Sequence, residues 1–480
     1  MALHLPPEVW MQITQYLEND RPSLTKCARV CRQWQPVFEQ IIYRNISVES
    51  DESETTNSAI TFAQFQGLFS RKNLYRRSFL RRLDYIVILP YELPNYRSIK
   101  LDGYRERNAM RQANDKAFQC GMSTLFGLLA AWEEGSKLTL SLEARGRDET
   151  LEPGTEELEE AHAWEAERDG TRVVTPYQAR FPDGVSVLPE VSCIGHLVFD
   201  SYSQHIWGGA LLHVAERCIA LQELQLDMDE QARGDHVEYM RERRQSLASG
   251  LVRLPPSLRV FSSTGAADHP WHNTLPALDL RSSSIDDLSK NLRILSFNLR
   301  ELKLEYMCLD MDFLCPLDDS GRPISEISSL HWPYLETITL ETVPEHLPWG
   351  VDSEFPDPTT GDPRDIFNSH WLVEGFPIAR EKMKPEHFHR LFISLGFAAR
   401  RMPLLKSISV VLCPATPYPT FDFDGAKGGL TGAGPAPNER VAAAWGFSLD
   451  DMVIKTPRPR RFPDVRWISA TLEGFPPQGE

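Results

Sequence analysis

Residues 299–309 read LRELKLEYMCL, with leucine at 299, 302, 304 and 309 and charge between the first three. Alternation across Leu302 and Leu304 predicts a strand with one buried side, because successive side chains point to opposite faces. The spelling recurs along the chain. Leu275, Leu278, Leu280 and Ile285 repeat it, with Ser283 where Met307 stands in the first stretch. Ile194, Leu197 and Phe199 begin another, as do Leu221, Leu224 and Leu226, and then Leu335, Ile338 and Leu340. Leu405, Ile408, Val410 and Cys413 close the series. Starts at 194, 221, 275, 299, 335 and 405 are separated by 27, 54, 24, 36 and 70 residues.

Helices are expected ahead of several strands. Phe62, Phe65 and Leu68 precede Leu80, Leu83 and Tyr85–Ile88; residues 118–132 precede Leu138, Leu140 and Leu142. Residues 205–220 lead into the 221 unit and 388–401 into the 405 unit. The strand spelling resembles the leucine-rich repeat, L-x-x-L-x-L-x-x-N/C-x-L, whose units run ~20–29 residues. Spacings of 27 and 24 fit, 54 is two units of 27, and 36 and 70 require insertions. A weak unit at Leu254–Leu258 fills part of the 54-residue gap. Asparagine is missing from its usual place, so regular stacking is not implied. The fold class expected is α+β or α/β, either as an irregular leucine-rich-repeat-like helix–strand solenoid or as strands following helices without a horseshoe.

Ahead of these units lies a different composition. Leu5-Pro6-Pro7-Glu8-Val9-Trp10 opens a helix in which Val9, Ile13, Tyr16 and Leu17 recur at helical spacing. Asn19–Pro22 breaks it, Ser23 can cap a second helix carrying Leu24, Cys27, Ala28 and Cys31, and Pro36 opens a third with Val37, Phe38, Ile41 and Ile42. So small a bundle rarely holds a stable core alone, and its surplus of apolar residues points to a partner. Leu-Pro-x-Glu-Val, Ile13-x-x-x-Leu17, Leu24 and Val30-Cys31-Arg32-x-Trp34 resemble the F-box, in a form of fungal-type appearance. The resemblance implies a three-helix module over residues 1–48 that binds the Skp-type adaptor of SCF (cullin–RING) ubiquitin ligases. Carried over from it, the adaptor-binding candidates are Leu5, Pro6, Val9, Ile13, Leu17, Leu24, Val30 and Trp34, some of which must face the bundle's own core. Residues 49–60 read as an acidic connector and 61–480 as the substrate-binding part, with inserted loops at 143–170, 350–363 and 414–437.

The chain of 480 residues is too long for one ordinary core, and 41% apolar with 25% charged residues is globular composition. A net charge of −16 argues against a nucleic-acid surface over the whole molecule. No apolar run is long enough for a membrane span, no secretion signal opens the chain, and eight unpaired-looking cysteines favour a reducing compartment, cytoplasm or nucleus.

Chemistry is scarce. Gly425–Gly434 is glycine-rich around Lys427 but lacks the G-K-[ST] order of a phosphate loop. His387 and His389 lie two apart on a helix and diverge; Cys27 and Cys31 lack a second ligand pair; Asp310-x-Asp312 alone implies no metal. No cofactor, metal or catalytic residue is expected. The basic run Arg71–Arg82 reads either as an anion-binding stretch or as a solvated edge whose arginine stems cover apolar surface, and Pro457–Arg461 as an exposed basic tract. Tryptophans 207, 271, 332, 349, 371 and 445 are core or anchor residues. The function expected is a non-catalytic substrate receptor of an SCF-type ligase; an F-box scaffold outside any ligase is the alternative.

Overall fold

The structure is a computed structural model. It describes residues 9, 12–13, 16–17, 21–51, 59–90, 99–100, 109–132, 137–146, 172–173, 177–184, 188–200, 205–228, 237–265, 286–305, 307, 309–324, 330–341, 385–412, 420–426, 429–433, 436–451, 453–455 and 466–468. Val9, Gln12, Ile13, Tyr16 and Leu17 are helical, followed by α1 (Arg21–Ala28) and α2 (Trp34–Ile42). Two residues later the chain enters β1 (Asn45–Glu49), then β2 (Ile60–Thr61), α3 (Phe62–Leu68), a 3-10 helix at Arg71–Ser78 and β3 (Arg82–Leu89). Next come β4 (Ile99–Lys100), α4 (Ala109–Leu129), β5 (Leu138–Gly146), β6 (Arg172–Val173), β7 (Ile194–Phe199), α5 (Gly208–Glu216) and β8 (Glu223–Asp227). Then follow α6 (Val237–Leu251), β9 (Val260–Thr264), α7 (Asp287–Ser296), β10 (Glu301–Glu305), β11 (Thr337–Glu341), α8 (Pro385–Ala399) and β12 (Ser407–Val411). The described chain finishes with β13 (Thr420–Asp424), β14 (Gly429–Ala433), α9 (Glu439–Trp445), β15 (Val453–Lys455) and β16 (Arg466–Ile468).

Among the described residues fourteen strands form one sheet in the order β2-β1-β3-β5-β7-β8-β9-β10-β11-β12-β13-β14-β16-β15, and β4 pairs with β6 apart from it. From β2 to β12 every pairing is parallel; from β12 onward all are antiparallel. Helices and strands are thus mixed around an open sheet. A chain that always steps to the next strand through crossovers of one hand keeps its helices on one face. Register explains the core. Ile46, Leu83, Leu140, Leu197, Leu224, Phe261, Leu302, Ile338, Ile408, Phe423 and Leu430 are successive partners across the sheet, and each is buried against the helices.

Several expectations need correcting. The stretch 414–437, read as a loop, contains the β13–β14 hairpin, in which Thr420-Phe421-Asp422-Phe423-Asp424 alternates apolar and acidic residues as a half-buried strand does. Much of the glycine-rich stretch is β14 itself, Gly429–Ala433. Glu143–Gly146, placed in an insertion, belongs to β5. In the 54-residue gap the strand is β9, just past the weak unit at 254–258. The unit expected at 275–285 lies outside the described residues, and β9 and β10 pair directly.

Of the six tryptophans singled out in the sequence, 207, 332 and 445 lie among the described residues, and all three are buried. Trp332 Nε1 donates to Ser296 Oγ at 2.7 Å and Trp445 Nε1 to the Phe392 carbonyl at 2.8 Å, so each buried N–H is satisfied. Helices α8 and α9 cross closely at Gly396, where a Cβ would lie 2.8 Å from the Trp445 ring. Gly396→Ala should therefore cost about 1–3 kcal/mol through overpacking, read as a lowered unfolding midpoint.

Candidate functional site

Two surfaces carry the functional reading, and a short buried junction joins them. In the N-terminal bundle Val9, Ile13, Leu17 and Trp34 are half-buried, the last against Phe38 at 5.7 Å between ring centroids. Leu24 is buried and faces the bundle's interior, whereas Val30 is 61% exposed. Tyr16, which was not among the candidates, is 92% exposed. Leu5 and Pro6 lie outside the described residues.

The junction starts at Glu39 on α2, buried at 5% exposure. Its carboxylate accepts from Tyr75 Oη at 2.8 Å, from Arg76 at 2.7 and 3.3 Å, and from Gln35 Nε2 at 3.0 Å. Burial pushes its pKa up, but the hydrogen bonds from Arg76, Gln35 and Tyr75 outweigh that and leave it lowered. Arg76 also lies over the Tyr43 ring at 4.9 Å, and Tyr43 meets Phe69 edge-on. Because α2 runs into β1 through two residues, and the amides of Arg81 and Arg82 donate to the Arg44 carbonyl, the bundle is built onto the sheet's first rungs.

Three cations of the basic run have partners within the chain. Arg76 is committed to Glu39, Arg77 donates to the Phe69 carbonyl and covers Trp132 at 5.1 Å, and Arg82 pairs with Asp84 at 2.7 Å. Arg76 and Arg77 thus lie over aromatic surface, and Arg77 also satisfies a backbone carbonyl.

The second surface is the sheet face opposite the helices. Over β1–β7 its middle is covered: Ile86 and Ser141 are each 8% exposed and Glu49 1%. From β8 onward it opens, and the register sorts it into three rows. Glu223, Val260, Glu301, Thr337, Ser407 and Asp424 form the row at the strands' amino ends. Gln225, Ser262, Lys303, Thr339, Ser409 and Asp422 form the middle. Asp227, Thr264, Glu305, Glu341, Val411 and Thr420 form the last. The cations belonging to these strands sit one step outside, at Arg259, Arg300 and Lys406, where Arg300 and Lys406 both pair with Glu336.

Several titratable groups are shifted by burial or committed to internal partners. Burial pushes the thiols of Cys193 and Cys315 up to about 11, away from thiolate character at neutral pH. Burial likewise lowers His205 to about 4, keeping it neutral. Asp312 accepts from Arg390 Nη2 at 2.5 Å and from the Leu317 amide, while His389 contacts the Ala436 carbonyl and Asn438, the cap of α9. Among the described residues no group of three or more histidine, cysteine or carboxylate side chains is placed to hold a metal, and no helix is long and apolar enough to cross a membrane.

No curated protein matches the chain. The F-box-like family model matches residues 2–49, a span that takes in the bundle and β1. F-box domains in general bind Skp-type adaptors, and what this chain carries at its N-terminal end is an F-box-like domain.

Proposed function

We propose that this chain is the substrate-recognition subunit of an SCF-type ubiquitin ligase. Its F-box-like bundle docks the Skp-type adaptor, and the sheet domain, an irregular leucine-rich-repeat-like array, captures a protein substrate. The F-box-like match over residues 2–49 carries this reading. The exposed apolar side chains of Tyr16 and Val30 within it support a partner. A receptor of this kind is non-catalytic: it raises the effective concentration of a substrate near a loaded conjugating enzyme. It would work in the cytoplasm or nucleus, where such ligases act.

The test is co-purification of the full chain with a Skp-type adaptor. Leu5→Ala/Pro6→Ala should reduce adaptor recovery by about ten-fold or more while the circular dichroism of the sheet domain is unchanged. Undiminished recovery would refute the assignment. A point variant is preferable to deleting 1–48, because that cut removes most of β1 from the sheet. Faster turnover of a bound protein when the chain is present separates the receptor from a scaffold outside the ligase.

A further inference from the structure

We infer that the open sheet face from β8 to β14 is a trough that docks an extended, lysine- and arginine-rich segment of a separate protein. This rests on the receptor reading above, whose substrate class it names. The floor of the trough is the middle row, where Ser262, Thr339 and Ser409 are small and polar and Gln225, Lys303 and Asp422 are the longer members. Longer carboxylates stand on both sides: Glu223 and Glu301 along one, Glu305 and Glu341 along the other. Two positions on either side of the floor put the flanking rows ~13 Å apart, wide enough for one extended backbone between them. Seven strands span roughly 30 Å, the reach of about nine extended residues.

The sign of the face follows from the register. Seven carboxylates lie on its three rows from β8 to β13 against one ammonium, Lys303, while the neighbouring cations occupy the row outside. Lys303 itself shows how a cation fares there. Its ammonium lies 2.5 Å from Glu305, which holds its pKa above the usual range, with Glu341 and Glu301 adding to the effect. Carboxylates of both rows thus act on one cation at the floor. Glu223 keeps 51% exposure, and Glu301 and Glu341 are exposed, so the face is reachable. The chain's overall charge of −16 would steer a basic segment inward and repel acidic ones.

Fluorescence anisotropy of the full chain with a nine-residue Lys/Arg–Gly–Ser peptide, and with its glutamate counterpart, tests this. The basic peptide should bind with marked salt dependence and the acidic one should not. Glu223→Gln/Glu301→Gln/Glu341→Gln should weaken binding on the order of ten-fold, since each exposed pair contributes little by itself. A charge-matched variant elsewhere, Glu190→Gln/Glu242→Gln/Asp319→Asn, should change it by less than about two-fold. Equal losses in both variants, or no binding by the parent chain, would overturn the inference. So would about ten-fold tighter binding by Arg458→Ala/Arg460→Ala/Arg461→Ala, because the chain's own basic tract would then be the occupant. Adaptor co-purification measured on the same proteins separates the two readings. Adaptor recovery without peptide binding removes the trough alone; peptide binding without adaptor recovery removes the ligase and leaves the trough.

Discussion

Arg76→Ala should destabilise the protein by about 3 kcal/mol near neutral pH, the low end of the cost of breaking a buried ion pair. The low end applies because Arg76 keeps 14% side-chain exposure while Glu39 has 6%. Removing the guanidinium strands a carboxylate among Gln35, Tyr75 and apolar neighbours. Glu39 has a lowered pKa in the folded protein. The stability it contributes is therefore full above its unfolded value and is lost as the pH falls through the folded one. The gap between parent and variant should be widest at neutral pH and close in acid, once Glu39 is protonated in both. Denaturant unfolding across that range measures it. A gap independent of pH would show that Arg76 acts by packing on Tyr43 alone. Glu39→Gln added to Arg76→Ala should recover part of the loss, since it replaces the stranded charge with an amide.

Trp445→Ala should cost about 3–5 kcal/mol, the range for deleting a large buried aromatic side chain. The indole lies 5.1 Å from Phe421 and 5.6 Å from Phe423 by ring centroids, and Phe421 stacks on Phe392 at 4.4 Å. It ties α8 and α9 to β13, so its loss empties the core under the antiparallel end of the sheet. In a sheet where each strand touches only its neighbours, that damage should stay local. Amide exchange should accelerate in 420–433 and remain unchanged in β1 and β3, with adaptor recovery intact. Uniform acceleration along the chain would mean that the sheet unfolds as one unit.

Much of the helix–strand order was legible because burial on one side writes a period of two into a strand and 3.6 into a helix. The units starting at 194, 221, 299, 335 and 405 each contain the alternating residues of an observed strand, since the leading apolar residue and two alternating ones all enter the core. Residues 237–251 were harder: α6 carries Arg241, Arg243 and Arg244 through its middle, and charge there obscures the buried positions. The 420–433 hairpin was hidden by its glycines and by the prolines that flank it, although Phe421 and Phe423 held the alternation that would have revealed it. For the N-terminal bundle, order and spacing of Leu5, Pro6, Ile13, Val30 and Trp34 carried the F-box resemblance that the family model over residues 2–49 also finds.

The sequence by itself carried the F-box resemblance and the apolar side of β3, β5, β7, β8, β10, β11 and β12, because both are local patterns. Only the tertiary structure decided what the charged residues do. Glu39 and Arg76 are 37 residues apart and become a buried pair only when α2 is packed beside the 3-10 helix. Glu223, Glu301 and Glu341 are scattered carboxylates in the sequence. Parallel register lines them along one open face, because strand pairing, not chain distance, sets which side chains stand together.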